Sequence, residues 1–352
     1  MRVALVGNWP RPYGGVAVHV AALAGALRAR GVDVVVLDIG HGDHRGAGVR
    51  PARGPLRYAL ALSAVAAEGR LVHVHTSGAN LRSWLVALAA GRARRAGAPR
   101  GVLTLHSGSA PAYLRGDGAR RALAAAACTG YGAVVAVNGE IAEVLIRAGV
   151  DRSRVTVLPA FSKEVLEPPE PPATLAAFRS RHAPLLAAAL APGPIYGADL
   201  LAEAFRRLRR SFPGAGLAVF GAGTDGPPWT GPALLGLGEI GHSSALAVLA
   251  EADVFVRPTL ADGDALTVRE ALALGCAVVA SDVGHRPPGC LVFPARDVEA
   301  LTARLAEAVA MGRQPAPAAA EGGFGTLLEL YRGLAGGSPP VPSEKAGGAA
   351  TP

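Results

Sequence analysis

Short apolar runs recur along the chain, each followed by a helical pattern, and this alternation constrains the fold more than any other feature. The first run, RVALVG, leads through a turn-rich loop into a predicted helix over residues 16–30, and the run VDVVVLD follows. Strands that are apolar on both faces belong to parallel sheets covered by helices. The order strand, helix, strand therefore predicts a parallel α/β sheet.

The alternation occurs twice, on either side of a proline-rich segment. Four prolines between Pro168 and Pro172 cannot continue a helix or a central strand. A chain of 352 residues also exceeds the size at which one hydrophobic core keeps growing. We predict a first domain at residues 1–165, a linker at 166–183 and a second domain at 184–320. A helix at 321–335 is predicted to pack back on the first domain, and residues 336–352 are predicted to form a disordered tail.

Cysteine usage and hydropathy limit the environment of the chain. Cys128, Cys276 and Cys290 are odd in number and show no C-x-x-C spacing, which argues against a disulfide framework and a structural zinc site. No apolar stretch reaches the ~18–20 residues of a membrane span, and the first residues lack the long apolar region of a signal peptide. We expect a cytoplasmic protein.

The charge of the chain is unevenly distributed. Residues 1–170 carry 21 Lys+Arg against 11 Asp+Glu, whereas residues 171–352 carry 14 against 16. Stacking aromatic residues are scarce and no nucleic-acid motif is present, so we predict no nucleic-acid partner and instead an anionic membrane surface or a phosphorylated acceptor. An alternative is codon bias, because 33 arginines accompany only two lysines.

One segment, ADVFVRPTLADGDALTVREALALGCAVVASD, carries the clearest chemical pattern. It predicts a strand, a loop containing Asp262 and Gly263, and a helix that begins near Leu266 and carries Glu270. Free N–H groups and the helix dipole at such an amino end suit a diphosphate. A carboxylate one turn into the helix can accept hydrogen bonds from a ribose.

This segment resembles the signature of the retaining glycosyltransferases of family four, two glutamates separated by seven residues. Here Asp262 stands at the first glutamate and Glu270 at the second. The other matching residues are Gly263, Leu266, Ala271, Ala273, Gly275 and residues 278–281. The resemblance implies two Rossmann-like, doubly wound domains that face each other across a cleft, the GT-B fold, with the acceptor on the first domain and the donor on the second.

The same resemblance implies an activity. A nucleotide-sugar donor, linked to UDP or GDP, would give its sugar to a saccharide or lipid-linked acceptor in polysaccharide or glycolipid synthesis, at the inner face of the membrane, without a metal or another cofactor. His106 and Asp262 are implied to be catalytic. The implied donor-binding residues are Gly14, Gly15, Gly221, Gly223, Ile240, Gly263, Asp264, Ala265, Leu266, Thr267 and Glu270. Arg286 is added to them for its position just past the carboxyl end of a predicted strand.

Two histidines lie at the predicted edge of the first sheet where ligands bind. His75 ends the run LVHVH and His106 ends GVLTLH, and open α/β sheets bind ligands at the carboxyl ends of their strands. His106 matches the family histidine that contacts the donor sugar, whereas His75 is a secondary candidate. His19 and His73 are interpreted as structural.

The sequence departs from the family at two cations that neutralise the departing diphosphate. The family motif G-R-L, followed about four residues later by K-G, is here AALAPGPIYG, with Tyr196 at the lysine position and Leu190 or Ala191 at the arginine position. Arg257, Arg269 and Arg286 are the candidate replacements. We favour Arg286 and expect it in an exposed loop, where its removal would leave the melting temperature nearly unchanged.

Other functions stay open. The missing cations also fit an inactive homologue that still binds nucleotide sugar, and a sugar-nucleotide epimerase shares the GT-B fold. Asp262 and Asp264 form an Asp-x-Asp pair, a motif of metal-dependent transferases, although we expect no metal there. A dehydrogenase is disfavoured because the first loop lacks G-x-G-x-x-G.

Overall fold

The computed structural model describes residues 1–42, 46–162, 166, 169–315 and 323–336. It divides into two compact units. Unit 1 comprises Met1–Trp9, Leu23–Pro159 and the chain from Gly322, and unit 2 comprises Pro10–Ala22 and Ala160–Glu321. The predicted tail lies outside the described residues beyond Gly336.

Unit 1 contains a seven-stranded sheet in which every pair of neighbouring strands is parallel. The strand order is β3-β2-β1-β4-β5-β6-β7, so the chain reverses its direction of winding between β1 and β4. The central strands are buried, as expected for apolar runs covered on both faces. The strands are β1 (Arg2–Gly7), β2 (Asp33–Asp38), β3 (Val49–Pro51), β4 (Leu71–Thr76), β5 (Gly101–Leu105), β6 (Tyr131–Ala136) and β7 (Val155–Val157).

Helices connect these strands, and asparagine side chains start two of them. Asn80 Oδ1 accepts the N–H of Ser83, and Asn138 Oδ1 accepts the N–H of Ile141, which satisfies donors at the helix amino ends. The helices in this part of the sequence are α1 (Gly15–Ala29), α2 (Pro55–Ala67), α3 (Leu81–Arg92), α4 (Ala110–Arg115), α5 (Gly118–Cys128) and α6 (Gly139–Arg147).

Unit 2 contains a second seven-stranded sheet, in the order β10-β11-β9-β8-β12-β13-β14. All neighbours are parallel except β10 and β11. Separate apolar clusters pack around its buried strands. The strands are β8 (Leu185–Ala189), β9 (Gly216–Phe220), β10 (Thr230–Gly231), β11 (Leu234–Gly236), β12 (Val254–Arg257), β13 (Ala277–Ser281) and β14 (Cys290–Phe293).

The predicted linker contains a helix. Leu175 and Phe178 are buried on α7 (Ala173–Arg179) and join an apolar cluster of unit 2. The helix begins directly after Pro172, where the missing proline N–H costs nothing. The prolines thus set where a packed helix starts. The remaining helices of unit 2 are α8 (Ala198–Ser211), α9 (His242–Glu251), α10 (Leu266–Ala273) and α11 (Val298–Met311).

The last described helix, α12 (Phe324–Ala335), groups with unit 1. Tyr331 is fully buried, and its hydroxyl lies 2.5 Å from His73 Nδ1 in β4. The division differs from the predicted domains at Pro10–Ala22, which groups with unit 2, where the Tyr13 N–H donates to Glu239 Oε1. No helix in the described part of the chain is long and apolar enough to span a bilayer.

Candidate active site

The loop from β12 to α10 presents an open helix amino end. The helix α10 begins at Leu266, as predicted, and Ala265 precedes it with no described side chain capping the first turn. The first N–H groups of a helix lack partners within the helix, and the dipole makes this end electropositive. Gly263, Asp264, Ala265, Leu266 and Thr267 lie at this helix end, whose chemistry is of the kind that an anion such as a diphosphate needs.

Two arginines hold Asp262 in this loop. Arg257 Nε lies 3.0 Å and Arg286 Nη1 3.1 Å from Asp262 Oδ2, and Thr259 Oγ1 donates to the same oxygen. Burial would raise the pKa of Asp262, but the two guanidinium groups outweigh it and hold that pKa below its ordinary value. The cluster of Asp262, Arg257 and Arg286 therefore carries one more positive than negative charge.

Arg286 is not the exposed loop arginine that the sequence predicted. Its side chain is only 6% exposed. Arg286 Nε donates to the carbonyl oxygen of Ser281 at 2.8 Å, and its Nη2 lies 3.3 Å from Thr259 Oγ1. The loop folds back over the end of β13, so the predicted exposure of Arg286 is wrong, and with it the reason for expecting that its removal leaves stability unchanged.

Asp264 forms a second buried acid–base pair. Its Oδ1 accepts Arg269 Nε at 2.7 Å, whereas its buried Oδ2 has no hydrogen-bond partner among the described residues. Burial raises the pKa of Asp264 although Arg269 opposes the shift. Next to it, the N–H of His285 donates to the Gly263 carbonyl. The loops before α10 and after β13 are thus joined through Asp262, Gly263 and Arg286.

Glu270 is buried one turn into α10, with 1% of the residue exposed. Its Oε1 lies 2.7 Å from Nε2 of His242, the first residue of α9. His242 was not among the residues predicted from the sequence. The only available signal was its place at the start of a helix next to the segment GLGEI.

The glycine turn after β9 is joined to Gly238, two residues before the predicted donor-binding residue Ile240. Gly221 has φ of 120°, and a Cβ there would lie 1.9 Å from the Leu190 carbonyl oxygen, so only glycine fits. The Gly221 N–H donates to the carbonyl of Gly238, and Thr224 Oγ1 accepts the N–H of Gly238. Thr224 is a buried polar residue that sequence reasoning missed.

Three further sequence positions, Gly223, Ile240 and Tyr196, also lie in unit 2. Gly223, with φ of 75°, follows in the same turn, and Ile240 packs on an apolar cluster of unit 2. Tyr196, at the position of the family lysine, lies with its ring centroid 5.9 Å from Arg257 Cζ. A guanidinium from β12 therefore lies beside the position where the family carries a lysine.

The glycines of the first loop group with unit 2. Gly14 precedes Gly15, the first residue of α1, and a Cβ at either position would meet nothing within 4 Å. The space does not require glycine there. Farther along α1, burial lowers the pKa of His19 to about 4, and its Nδ1 lies 2.7 Å from the Ala160 carbonyl oxygen.

The histidines of unit 1 form a hydrogen-bonded group at the carboxyl ends of β4 and β5. His75 Nδ1 lies 3.1 Å from His106 Nε2. The rings of His73 and His75 lie 3.9 Å apart, and His73 Nε2 contacts Thr104 Oγ1 at 2.7 Å. The structure brings His75 and His106 together, with His106 partly exposed, whereas His73 is fully buried between Thr104 and Tyr331.

Solved structures with the same fold include sugar-nucleotide enzymes. Sucrose-phosphate synthase from Thermosynechococcus elongatus is 19% identical, with a TM-score of 0.66 over 96% of this chain and 100% of that one. HepE from Anabaena in complex with UDP-glucose is 15% identical, with a TM-score of 0.63 over 88% and 89%. A protein from Listeria monocytogenes assigned as a UDP-N-acetylglucosamine 2-epimerase is 15% identical, with a TM-score of 0.64 over 97% and 98%. At these identities the likeness shows the fold.

Family models identify both halves of the chain. No curated protein sequence matches it significantly. The model of Glycosyltransferase Family 4 matches residues 13–161, and the model of Glycosyl transferases group 1 matches residues 183–311. Together they span most of the chain and both units. The chain therefore belongs to the family-four glycosyltransferases with the GT-B fold.

Proposed function

We propose that this glycosyltransferase transfers a sugar from a UDP-linked donor to a saccharide or lipid-linked acceptor, with retention of anomeric configuration and without a metal, in polysaccharide or glycolipid synthesis on the cytoplasmic side of the membrane. The observation that carries the proposal is the uncapped amino end of α10 beside a buried cluster with a surplus positive charge. A departing diphosphate needs such preorganised donors and charges, which typically contribute several kcal/mol of barrier lowering. HepE, of the same fold, is solved with UDP-glucose, which favours uridine as the base.

Each candidate residue then has a role. The first N–H groups of α10, with Arg257 and Arg286, would neutralise the diphosphate, and Glu270 would accept hydrogen bonds from the ribose hydroxyls. The segment from Gly238 to Ile240, held against Gly221, would contact the base through its backbone. His106 would contact the transferred sugar, with His75 orienting its ring. Asp262 would hold the two arginines in place, so we assign it a positioning role.

The proposal is tested by following donor and product together. Purified protein is incubated with UDP- and GDP-linked sugars, with and without saccharide and lipid-linked acceptors. We expect acceptor-dependent release of UDP and a product whose anomeric configuration, measured by NMR, equals that of the donor. Conversion of the donor sugar without an acceptor would instead identify an epimerase, the activity assigned to the Listeria neighbour. Donor binding without turnover would identify an inactive homologue.

EDTA is expected to leave the turnover rate unchanged. Asp262 and Asp264, which form the Asp-x-Asp pair, each accept a hydrogen bond from an arginine, and a guanidinium beside each carboxylate repels a metal cation. The rate is measured after dialysis against EDTA and after adding back Mn²⁺ or Mg²⁺, with a metal-dependent transferase as the control. Activity that disappears and returns with Mn²⁺ would contradict the metal-independent mechanism.

A further inference from the structure

The helix α2 of unit 1 is apolar on its exposed face as well as on its buried face. Tyr58, Leu62 and Val65 form the buried side. On the opposite side, Leu56 is 72% and Leu60 is 63% exposed. A helix at a protein surface normally carries polar residues on its outer face, and a helix that is apolar all round usually has a second apolar neighbour.

The helix α3, which is hydrogen-bonded to α2, also carries exposed leucines. The Tyr58 hydroxyl donates to the Val86 carbonyl oxygen at 3.0 Å and joins the two helices. On α3, Leu81 is 55% and Leu85 is 49% exposed. Leucines four residues apart share one side of a helix, so each helix presents a pair. Both pairs lie in the first turns, next to the carboxyl ends of β3 and β4.

Positive charge surrounds these leucines. Arg57 and Arg82 are exposed beside them, and neither makes an ion pair with another residue in the described parts of the chain. Between residues 51 and 116 the sequence carries nine arginines and a single acidic residue, Glu68. Glu68 already pairs with Arg50 and Arg70. The charges near the leucines thus lack a counterpart of opposite sign within the segment.

We propose that this leucine–arginine face, formed by Leu56, Leu60, Leu81, Leu85, Arg57 and Arg82, docks on an anionic phospholipid bilayer. The leucines would enter the boundary between headgroups and acyl chains, while the arginines contact the lipid phosphates. A second copy of this chain fits less well, because a symmetric contact would bring the arginines of both copies together without acidic partners.

The position of the face suits a lipid-linked acceptor. The leucine pairs lie at the same edge of the sheet as His75 and His106. These two histidines lie at the carboxyl ends of β4 and β5. Docking would hold that edge at the bilayer surface. This step alone rests on the proposed function, whereas membrane binding can be measured without any activity.

The test is vesicle co-sedimentation of the full chain. We expect the wild type to pellet with vesicles of phosphatidylcholine and phosphatidylglycerol, and far less with phosphatidylcholine alone or in high salt. Leu56→Ser with Leu60→Ser, and separately Arg57→Ser with Arg82→Ser, should each lower the partition coefficient about tenfold or more, since binding needs both apolar area and charge. Because all four side chains are exposed, the melting temperature should hardly change.

Matched controls separate this face from overall charge. Arg94→Ser with Arg95→Ser changes the net charge equally, but these exposed arginines follow the carboxyl-terminal end of α3, away from the leucine pairs. Met311→Ser removes an exposed apolar side chain from unit 2. Both controls should bind like the wild type. Equal losses in the face and control variants would overturn the proposal. So would binding that ignores anionic lipid, or a dimer in light scattering that the leucine variant abolishes.

Discussion

Replacing Glu270 with alanine is expected to raise the dissociation constant of the nucleotide-sugar donor about tenfold or more. A hydrogen bond to a charged group contributes about 1.5–3 kcal/mol, and each 1.4 kcal/mol corresponds to a factor of ten in affinity. Glu270 is buried one turn into α10, and its Oε1 lies at 2.7 Å from His242. The carboxylate is therefore held in place before a ribose binds. Because little side-chain entropy is lost on binding, most of the hydrogen-bond energy contributes to donor affinity.

The donor affinity is measured by calorimetry with UDP and UDP-glucose. Glu251→Ala, an exposed change at the end of α9, serves as the control and should bind like the wild type. His242→Ala keeps the carboxylate but removes its partner, so it should weaken binding less than Glu270→Ala. Suppose instead that Glu270→Ala and His242→Ala lower the melting temperature equally while the donor affinity stays at the wild-type value. Glu270 would then only join α9 to α10, and its ligand role would be refuted.

The fold follows from the sequence wherever a strand is apolar on both faces. The runs that became β1, β2 and β4 are buried at every position except Arg2 and Asp33, and each was assigned from its residues alone. Strands β3 and β10 were not predicted from the sequence. They have only three and two residues, lie at sheet edges and are partly or fully exposed. Short edge strands bury little and leave no hydrophobic periodicity to find.

The candidate site was predictable in its positions but not in its contacts. Spacing placed Asp262 before α10 and Glu270 within it. The partners His242 and Thr224 come from other segments, 28 and 14 residues away from the groups they contact. Arg286 was predicted to be exposed because it lies in a loop between two elements. Its burial depends on how that loop folds over Thr259 and Ser281. Long-range polar contacts of this kind leave no local pattern in a single sequence.

Replacing Arg286 with alanine is expected to lower kcat by about a hundredfold or more, the typical loss when a preorganised donor to a developing negative charge is removed. Arg286 and Arg257 share one carboxylate, so the cluster has one surplus positive charge to offer a diphosphate. Without Arg286, the three-residue cluster becomes neutral. Arg286→Lys should recover only part of the rate, because lysine keeps the charge but loses the planar fork.

The same substitution should also lower the melting temperature, and a control must separate the two effects. Arg286 is 6% exposed, and breaking a buried ion pair costs about 3–5 kcal/mol, although Arg257 still pairs with Asp262 in the variant. Arg179→Ala breaks another ion pair of unit 2, with Asp253 at 2.9 Å. It should lower stability while leaving kcat intact at temperatures where circular dichroism shows a folded protein. Arg286→Ala must lose kcat under those same conditions, and a folded variant with the wild-type rate would exclude Arg286 from diphosphate stabilisation.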